Sequence, residues 1–133
     1  MLGETTLDRA ARPRSVLIVE DDEQLCEAIG FCVEAAGYEV VDCAQSVDDA
    51  LATLGRRTVD AALLDINLGG ELVYPVARAL TERGVPFVFV TAQNPSEIPE
   101  QFRHRPVVPK PYYDSALCAA LASMLPKSRA ADG

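Results

Sequence analysis

VLIVEDDE, residues 16–23, is the clearest indicator of the fold in this chain. Four apolar residues end abruptly in acidic ones, and a continuous apolar run is typical of a strand that is buried on both faces. From Asp22 onward the apolar residues recur at helical spacing, and Gly37 supplies a stop signal. The stretch therefore predicts a buried parallel strand over 15–19 that runs directly into a helix, with carboxylates at the junction.

The same alternation of a short apolar run and a helical pattern continues along the chain. Four further strands are predicted at 39–43, 60–65, 85–90 and 105–108. A helical pattern follows each of these strands except 85–90. After that strand, three prolines interrupt residues 92–106 and favour a short turn or an irregular loop. Five successive βα units predict an α/β fold, a doubly wound five-stranded parallel sheet with helices on both faces and right-handed crossovers.

Composition and charge restrict the class of protein. The 133 residues suit one domain, and 49% hydrophobic with 24% charged residues is ordinary for a soluble one. No apolar run approaches the roughly 18 residues that span a bilayer, and residues 1–14 lack the apolar centre of a secretory signal. We therefore expect a cytoplasmic protein without membrane insertion. Its net charge of −8 disfavours nucleic acid as a partner, because a phosphate backbone is repelled.

The four cysteines do not form a recognisable metal or catalytic motif. They lack CxxC spacing, and His104 is the only histidine, so structural zinc and a Cys–His nucleophile are disfavoured. Cys32 lies on an apolar helix face and Cys43 ends an apolar strand. Both are expected to be buried, reduced thiols.

Polar side chains gather where the predicted parallel strands end. These residues are Glu20 and Asp21 after strand one, Asp65 after strand three, Thr91 after strand four, and Lys110 after strand five. In an open α/β sheet, ligands bind in the crevice beyond the carboxyl ends of the strands. The fold therefore brings together side chains that are about ninety residues apart in sequence.

The chemistry of this group suits a cation and a phosphoryl anion together. Three neighbouring carboxylates repel one another unless a cation intervenes, and an all-oxygen cluster favours Mg²⁺. Asn67 can add a backbone carbonyl to the same ion. Lys110, the Thr91 hydroxyl and the backbone N–H of Ala92 are suitable partners for phosphoryl oxygens. Asp65 lies between the two sets, where it can act as a nucleophile for in-line attack.

Four motifs at these strand ends resemble the receiver domain of response regulators in two-component signalling. They are VLIVEDDE at 16–23, ALLDIN at 62–67, FVFVTA at 87–92 and PKP at 109–111. Each is weak by itself, but their occurrence in order, each at a predicted strand end, makes the resemblance specific. It spans roughly residues 15–125.

The resemblance assigns roles to the individual residues. Asp65 corresponds to the phosphoacceptor, Thr91 to the switch hydroxyl, and Lys110 to the phosphoryl-binding lysine that precedes a cis proline, Pro111. Ala92 contributes its backbone to the phosphoryl group. The metal ligands implied for Mg²⁺ are Glu20 (through water), Asp21, Asp65 and the Asn67 carbonyl. The implied fold is flavodoxin-like (CheY-like), with strand order 2-1-3-4-5.

One position departs from the usual receiver pattern. Many receivers carry Tyr or Phe three residues before the lysine, whereas this chain has Val107. The PFVFVT strand at 86–91 and the proline-rich segment after it resemble an alphaproteobacterial single-domain subgroup with a PFxFAT-type motif. The match is partial, because Ala92-Gln93 stands where that motif has Gly-Tyr. We expect phosphorylation to reorder residues 92–106 instead of turning an aromatic ring inward.

The expected function is that of a single-domain response regulator and phosphoprotein, not an enzyme beyond self-phosphotransfer and slow autodephosphorylation. Its domain is expected at 15–126, between polar tails at 1–14 and 127–133. The expected partners are a sensor histidine kinase or a histidine phosphotransfer protein and an unknown target. Signalling would proceed by protein–protein interaction or phosphorelay, from a monomer or weak dimer.

Two alternatives stay open from the sequence. A haloacid-dehalogenase-type phosphatase also uses a strand-end Asp with Mg²⁺, but it needs a second Asp where this chain has Asn67, which cannot cycle a proton. The other alternative is a pseudo-receiver that acts without phosphorylation. The intact set of acidic residues, Thr91 and Lys110 disfavours it.

Overall fold

The central sheet is built from the five apolar runs that the sequence identifies as strands. A computed structural model describes residues 13–124 of the chain. The strands are β1 (Ser15–Val19), β2 (Glu39–Ala44), β3 (Ala61–Leu64), β4 (Phe87–Thr91) and β5 (Val107–Pro109). All are parallel and lie in the order β2-β1-β3-β4-β5. The predicted five-stranded parallel sheet with order 2-1-3-4-5 is confirmed.

Four helices cover the sheet, and local sequence signals fix where they begin. They are α1 (Glu23–Ala35), α2 (Val47–Arg56), α3 (Tyr74–Glu82) and α4 (Asp114–Met124). The Asp22 carboxylate accepts a hydrogen bond from the Leu25 N–H at 3.1 Å and caps α1, and Ser46 caps α2 in the same way. Pro75 lies in the first turn of α3, where a missing N–H costs no helical hydrogen bond.

The core lies on both faces of the sheet, as a doubly wound fold requires. Along β1, Val16 and Ile18 pack into a cluster with α1 and α4, whereas Leu17 and Val19 pack into a second cluster with α2 and α3. All four are at most 1% exposed. This burial on both sides explains why β1 is continuously apolar instead of alternating.

The prolines in the segment after β4 predict that it forms no α-helix, and this is confirmed. Two short 3₁₀ turns, Pro95–Glu97 and Glu100–Phe102, replace the fourth helix of the βα pattern. Phe102 is 3% exposed and packs edge-on against Phe87 and Phe89. It also stacks on Tyr74, with ring centroids 5.7 Å apart. Phe102 is therefore a packing group that anchors this segment to the core.

A short hairpin follows β3 where the sequence predicts only a turn. Asn67–Leu68 pairs antiparallel with Glu71–Leu72, and Gly69 and Gly70 form its tip. Both glycines have positive φ, 65° and 99°, which L side chains rarely adopt. The hairpin places its tip beside the carboxyl edge of the sheet.

The cysteines are arranged differently from the expectation of reduced thiols. The structure joins Cys26 in α1 to Cys43 in β2 as a disulfide, with Cα atoms 6.3 Å apart, within the usual range. The expectation for Cys43 was therefore wrong, because it rested on residue spacing and compartment and not on the packing of α1 against β2. Cys32 is a buried free thiol, as expected.

The described part of the chain, residues 13–124, contains no helix that is long and apolar enough to cross a membrane. The predicted tails, 1–14 and 127–133, lie outside the described residues except for Pro13 and Arg14.

Two leucine substitutions test the assignment of the core. Leu17→Ala removes a side chain that is 0% exposed in a central strand and should cost about 2–5 kcal/mol of unfolding free energy. Leu51→Ala makes the same chemical change at a site that is 36% exposed and should cost less than about 1 kcal/mol. Urea unfolding followed by circular dichroism measures both. Equal losses in the two variants would contradict the placement of β1 in the core.

Candidate functional site

Backbone hydrogen bonds beyond the strand ends position the candidate side chains. The N–H of Asp65 donates to the Val19 carbonyl at 2.9 Å, and the N–H of Lys110 donates to the Thr91 carbonyl at 2.9 Å. Each bond extends a parallel ladder by one residue past the strand. Asp65 and Lys110 are therefore held at the carboxyl edge of the sheet by the strands themselves.

Lys110 makes the central contacts of the site. Its Nζ donates to Glu20 Oε1 at 2.8 Å and to Asp65 Oδ2 at 3.1 Å. Glu20 is 2% exposed and Asp65 is 9% exposed, so both ion pairs lie largely out of water. Such pairs interact more strongly than exposed ones, but they also require each buried charge to keep its partner.

Three carboxylates lie close enough to share one cation. One oxygen from each of Glu20, Asp21 and Asp65 lies within 4.8 Å of the other two. Asp21 is exposed, so the cluster opens to solvent on that side. With Lys110 as the only cation in contact with them among the described residues, the site carries excess negative charge. This donor set, all oxygen and open to water, fits Mg²⁺.

Burial and neighbouring groups shift the pKa values of Glu20 and Lys110. Burial raises the pKa of Glu20, and the nearby Asp65 charge adds to this, against hydrogen bonds from Lys110 and the Asp22 N–H. Burial by itself would lower the pKa of Lys110, but its hydrogen bonds to Glu20 and Asp65 outweigh that effect and raise it. Lys110 is therefore a firmly cationic group at neutral pH.

A cleft next to Asp65 is lined by five of the predicted site residues. Its volume is about 470 Å³, and its lining includes Asp65, Asn67, Thr91, Ala92 and Lys110. Thr91 is 2% exposed, and its hydroxyl oxygen accepts a hydrogen bond from the Gln93 N–H at 3.1 Å. The structure thus brings all the sequence-predicted site residues to one edge of the sheet, with Glu20 and Asp21 on the side away from Thr91.

The Asn67 side chain is committed to the hairpin. Its Oδ1 accepts a hydrogen bond from the Gly70 N–H at 2.7 Å. The predicted ligand role does not conflict with this, because it uses the backbone carbonyl of Asn67 and not the side-chain amide. The same hydrogen bond fixes the turn beside the acidic cluster.

Two residues at the site were not identified from the sequence. A Cβ atom on Gly69 would lie 3.3 Å from Asp21 Oδ2, so the hairpin tip lies close to the acidic cluster and a side chain there would press on the Asp21 carboxylate. Glu97, in the first 3₁₀ turn, lines the cleft beside Asp65. The paired glycines after the third strand were a signal for a turn, but nothing in the sequence indicated what that turn would contact.

One further feature agrees with what the resemblance implies, and a second concerns the departure at Val107. The Lys110–Pro111 peptide bond is cis. Val107 is paired with Phe89 across β4 and β5 and packs, half-buried, on the core cluster that includes Phe102. β5 contains no aromatic residue that could pack against Thr91.

The chain belongs to the response regulator receiver domain family. The model of that family matches residues 16–122. Members of this family are phosphoacceptor domains of two-component signalling and not classical enzymes, which disfavours the phosphatase alternative. Receiver domains bind Mg²⁺ at the acidic edge of the sheet and interact with histidine kinases or phosphotransfer proteins.

Similar proteins include longer regulators and isolated receiver domains. The sensory transduction protein RegX3 of Mycolicibacterium smegmatis is 35% identical over 116 residues, which cover 84% of this chain and 50% of RegX3. RegX3 of Mycobacterium tuberculosis is 36% identical, with the same coverage. The chain therefore spans about half the length of the curated relatives it matches.

Solved structures support the fold over most of the chain. SdrG from Sphingomonas melonis is 37% identical with a TM-score of 0.75, and the match covers 86% of this chain and 98% of SdrG. A BeF3-activated conformation of SdrG from Pseudomonas melonis is 35% identical with a TM-score of 0.73 and the same coverage. A CheY-like receiver domain from Methylobacillus flagellatus, 24% identical with a TM-score of 0.74 over 85% of this chain and 99% of its own, supports the flavodoxin-like fold alone.

A double-mutant cycle tests the charge balance at the site. Lys110→Met leaves Glu20 and Asp65 without their cation and should cost about 2–4 kcal/mol of unfolding free energy in metal-free buffer. Adding Asp65→Asn removes one of the stranded charges, so the double variant should recover at least about 1 kcal/mol of that loss. Urea unfolding gives both values.

Arg78→Met is the matched control for the loss of one positive charge, because Arg78 is exposed in α3 and away from the cluster. It should change the unfolding free energy by less than about 0.5 kcal/mol. A Lys110→Met variant as stable as this control would show that the ion pairs contribute nothing.

Proposed function

We propose that this chain accepts a phosphoryl group on Asp65 from a histidine kinase or a histidine phosphotransfer protein. The observation that carries the proposal is the Asp65 carboxylate, which lies 3.1 Å from Lys110 Nζ, within 4.8 Å of two further carboxylates, and at the wall of an open cleft. A buried nucleophile with a cation on one side and an open approach on the other suits phosphoryl transfer.

The residues divide the work of transfer among themselves. An Asp65 oxygen forms the new bond to phosphorus as the P–N bond of the phosphohistidine breaks, and the imidazole leaves with the electron pair. The Lys110 ammonium, which contacts the Asp65 carboxylate, would donate a hydrogen bond to a phosphoryl oxygen after transfer. The Thr91 hydroxyl and the Ala92 N–H, both at the cleft, donate to the remaining oxygens. The Thr91 oxygen already accepts from the Gln93 N–H, and its O–H remains available to donate to the phosphoryl group.

We assign the metal site to Glu20, Asp21, Asp65 and the Asn67 carbonyl. Mg²⁺ at this site would supply positive charge against the carboxylates and the incoming phosphoryl group. Asp21 and Asp65 would hold it directly, whereas Glu20, which already accepts from Lys110 and the Asp22 N–H, would hold it through water. Gly69 keeps the hairpin tip close without blocking Asp21.

The output of phosphorylation is a change in protein–protein interaction or a phosphorelay step. A receiver bounded at 15–126 accords with the family match to 16–122. The likeness to SdrG supports a place in the alphaproteobacterial single-domain subgroup, with PFVFVT at 86–91 as its variant of the strand-four motif. The net charge of −8 supports protein partners over nucleic acid and, through self-repulsion, a monomer or weak dimer, and we propose a cytoplasmic location. Slow autodephosphorylation would end the signal.

The switch, in our proposal, is the segment 92–106. It begins directly after Thr91, and within it Ile98 is 1% exposed and Phe102 is 3% exposed. Most of its other residues are exposed or half-buried, and the hydrogen bonds of its two 3₁₀ turns are local, including those from Arg103 to the Ile98 and Ser96 carbonyls. The segment is tied to the rest of the fold mainly by Ile98, Phe102 and Arg105, and it can reorder when the Thr91 hydroxyl gains a phosphoryl partner.

Phosphorylation from a small phosphodonor with Mg²⁺ tests the acceptor. Intact-mass analysis should show one added phosphate in the wild type and in Asp48→Asn, a control that removes an exposed carboxylate from the first turn of α2. Asp65→Asn should show none, because the nucleophilic oxygen pair is lost. An adduct that persists in Asp65→Asn would refute the assignment. An unphosphorylated wild type that still binds a partner kinase would favour a pseudo-receiver.

Hydrogen exchange with beryllofluoride and Mg²⁺ tests the switch. Amide protection across 92–106 should change by several-fold on addition of the phosphoryl mimic, while β1 and β3 stay unchanged because they lie in the core. The matched control is Asp65→Asn, in which the mimic has no acceptor and protection should not move. Unchanged protection over 92–106 in the wild type would sink the proposed switch and leave the acceptor role intact.

A further inference from the structure

Two free thiols face each other between the first and last helices. Cys32 Sγ of α1 lies 3.5 Å from Cys118 Sγ of α4, although the residues are 86 positions apart in sequence. This pairing is not predictable from the sequence, since the two positions share no short motif. Neither cysteine takes part in the Cys26–Cys43 disulfide. The contact is therefore a separate dithiol on the side of the sheet that α1 and α4 cover.

The two thiols have different environments. Cys32 is 8% exposed and also contacts the Asp114 carbonyl, with its sulfur 3.8 Å from that oxygen. Burial, then the neighbouring Cys118, raises the pKa of Cys32 to about 12, so Cys32 stays protonated at neutral pH. Cys118 is only half-buried. A small oxidant therefore reaches Cys118 first, with Cys32 next to it as the resolving thiol.

We propose that Cys32 and Cys118 form a second disulfide when the protein meets hydrogen peroxide. The Cys118 sulfur attacks one peroxide oxygen, the O–O bond breaks, and the products are a sulfenic acid and water. The Cys32 sulfur then attacks the sulfenic sulfur, the S–S bond forms, and a second water leaves with the Cys32 proton. Two thiols are oxidised by two electrons and one peroxide is reduced to two waters.

The geometry demands only a small movement. A disulfide bond is about 2.05 Å long, so the two sulfurs must approach by roughly 1.5 Å, within the range of side-chain rotation and slight helix movement. α1 and α4 already pack against each other. The same helix α1 carries Cys26, bonded to β2. The second bond would thus make α1 the link between β2 and α4.

The link would connect the two helices that leave the candidate site. α1 begins at Glu23, directly after Glu20 and Asp21, and α4 begins at Asp114, shortly after Lys110. Closing a loop of 86 residues restricts the unfolded chain, which is the main source of stabilisation by a disulfide. Oxidation would therefore stabilise the fold and fix the start of α4. The proposal is independent of phosphorylation at Asp65.

Peptide mapping after mild oxidation tests the proposal. The full-length protein is reduced, freed of reductant, treated with stoichiometric hydrogen peroxide, alkylated under denaturing conditions and digested. A cross-linked peptide that contains Cys32 and Cys118, lost on treatment with dithiothreitol, is the expected result. The oxidised protein should also melt about 5 °C or more above its Cys118→Ser variant treated in the same way.

A matched pair of variants separates this bond from the first one. Cys26→Ser/Cys43→Ser should still form the Cys32–Cys118 cross-link, and Cys32→Ser/Cys118→Ser should form only Cys26–Cys43. If the first variant does not fold, the wild-type map alone decides, because the two cross-linked peptides differ in mass. Alkylated Cys32 and Cys118 after peroxide treatment, or over-oxidised Cys118 without a cross-link, would overturn the proposal.

Discussion

The contact of Lys110 with both Glu20 and Asp65 is the interaction on which the site depends. Lys110 follows β5 at one edge of the sheet, while Glu20 follows β1, three strands away, or about 14 Å at the usual strand spacing. The lysine must therefore cross above the end of β4. That strand ends in the small side chain of Thr91, which leaves the crossing open and places a hydroxyl beside it. Strand order, and not local sequence, assembles the site.

The charge balance of this contact explains why the edge is suited to a cation and an anion in turn. One lysine faces three carboxylates, so the cluster lacks positive charge and attracts a divalent ion. Once such an ion is present, its two positive charges cancel the excess, so the edge no longer repels an incoming phosphoryl group. Neither ligand alone suits the cluster as well as both together. If the proposed function holds, the arrangement of four charged side chains would couple metal binding to phosphorylation.

The sequence could predict what depends on periodicity and on strand ends. The run 16–19, buried on both faces, identifies a parallel sheet, and polar residues after four strands identify its functional edge. It could not predict contacts made by packing between distant elements. The Cys26–Cys43 and Cys32–Cys118 pairs depend on how α1 lies on β2 and α4, and the approach of Gly69 to Asp21 depends on the hairpin. Sequence distance carries no information about these.

Val107 shows why the chemistry and the output of this domain are separable. The acceptor site needs only strand ends, which the aromatic position on β5 does not touch. Val107 provides no aromatic ring at this position. The core cluster beside it contains aromatic side chains nevertheless, because Phe102 reaches it from the 3₁₀ segment and stacks on Tyr74. A structural change at Thr91 would therefore be passed along the backbone to Phe102, because β5 has no aromatic ring that could rotate. The phosphoryl signal would then be carried by the position of a loop.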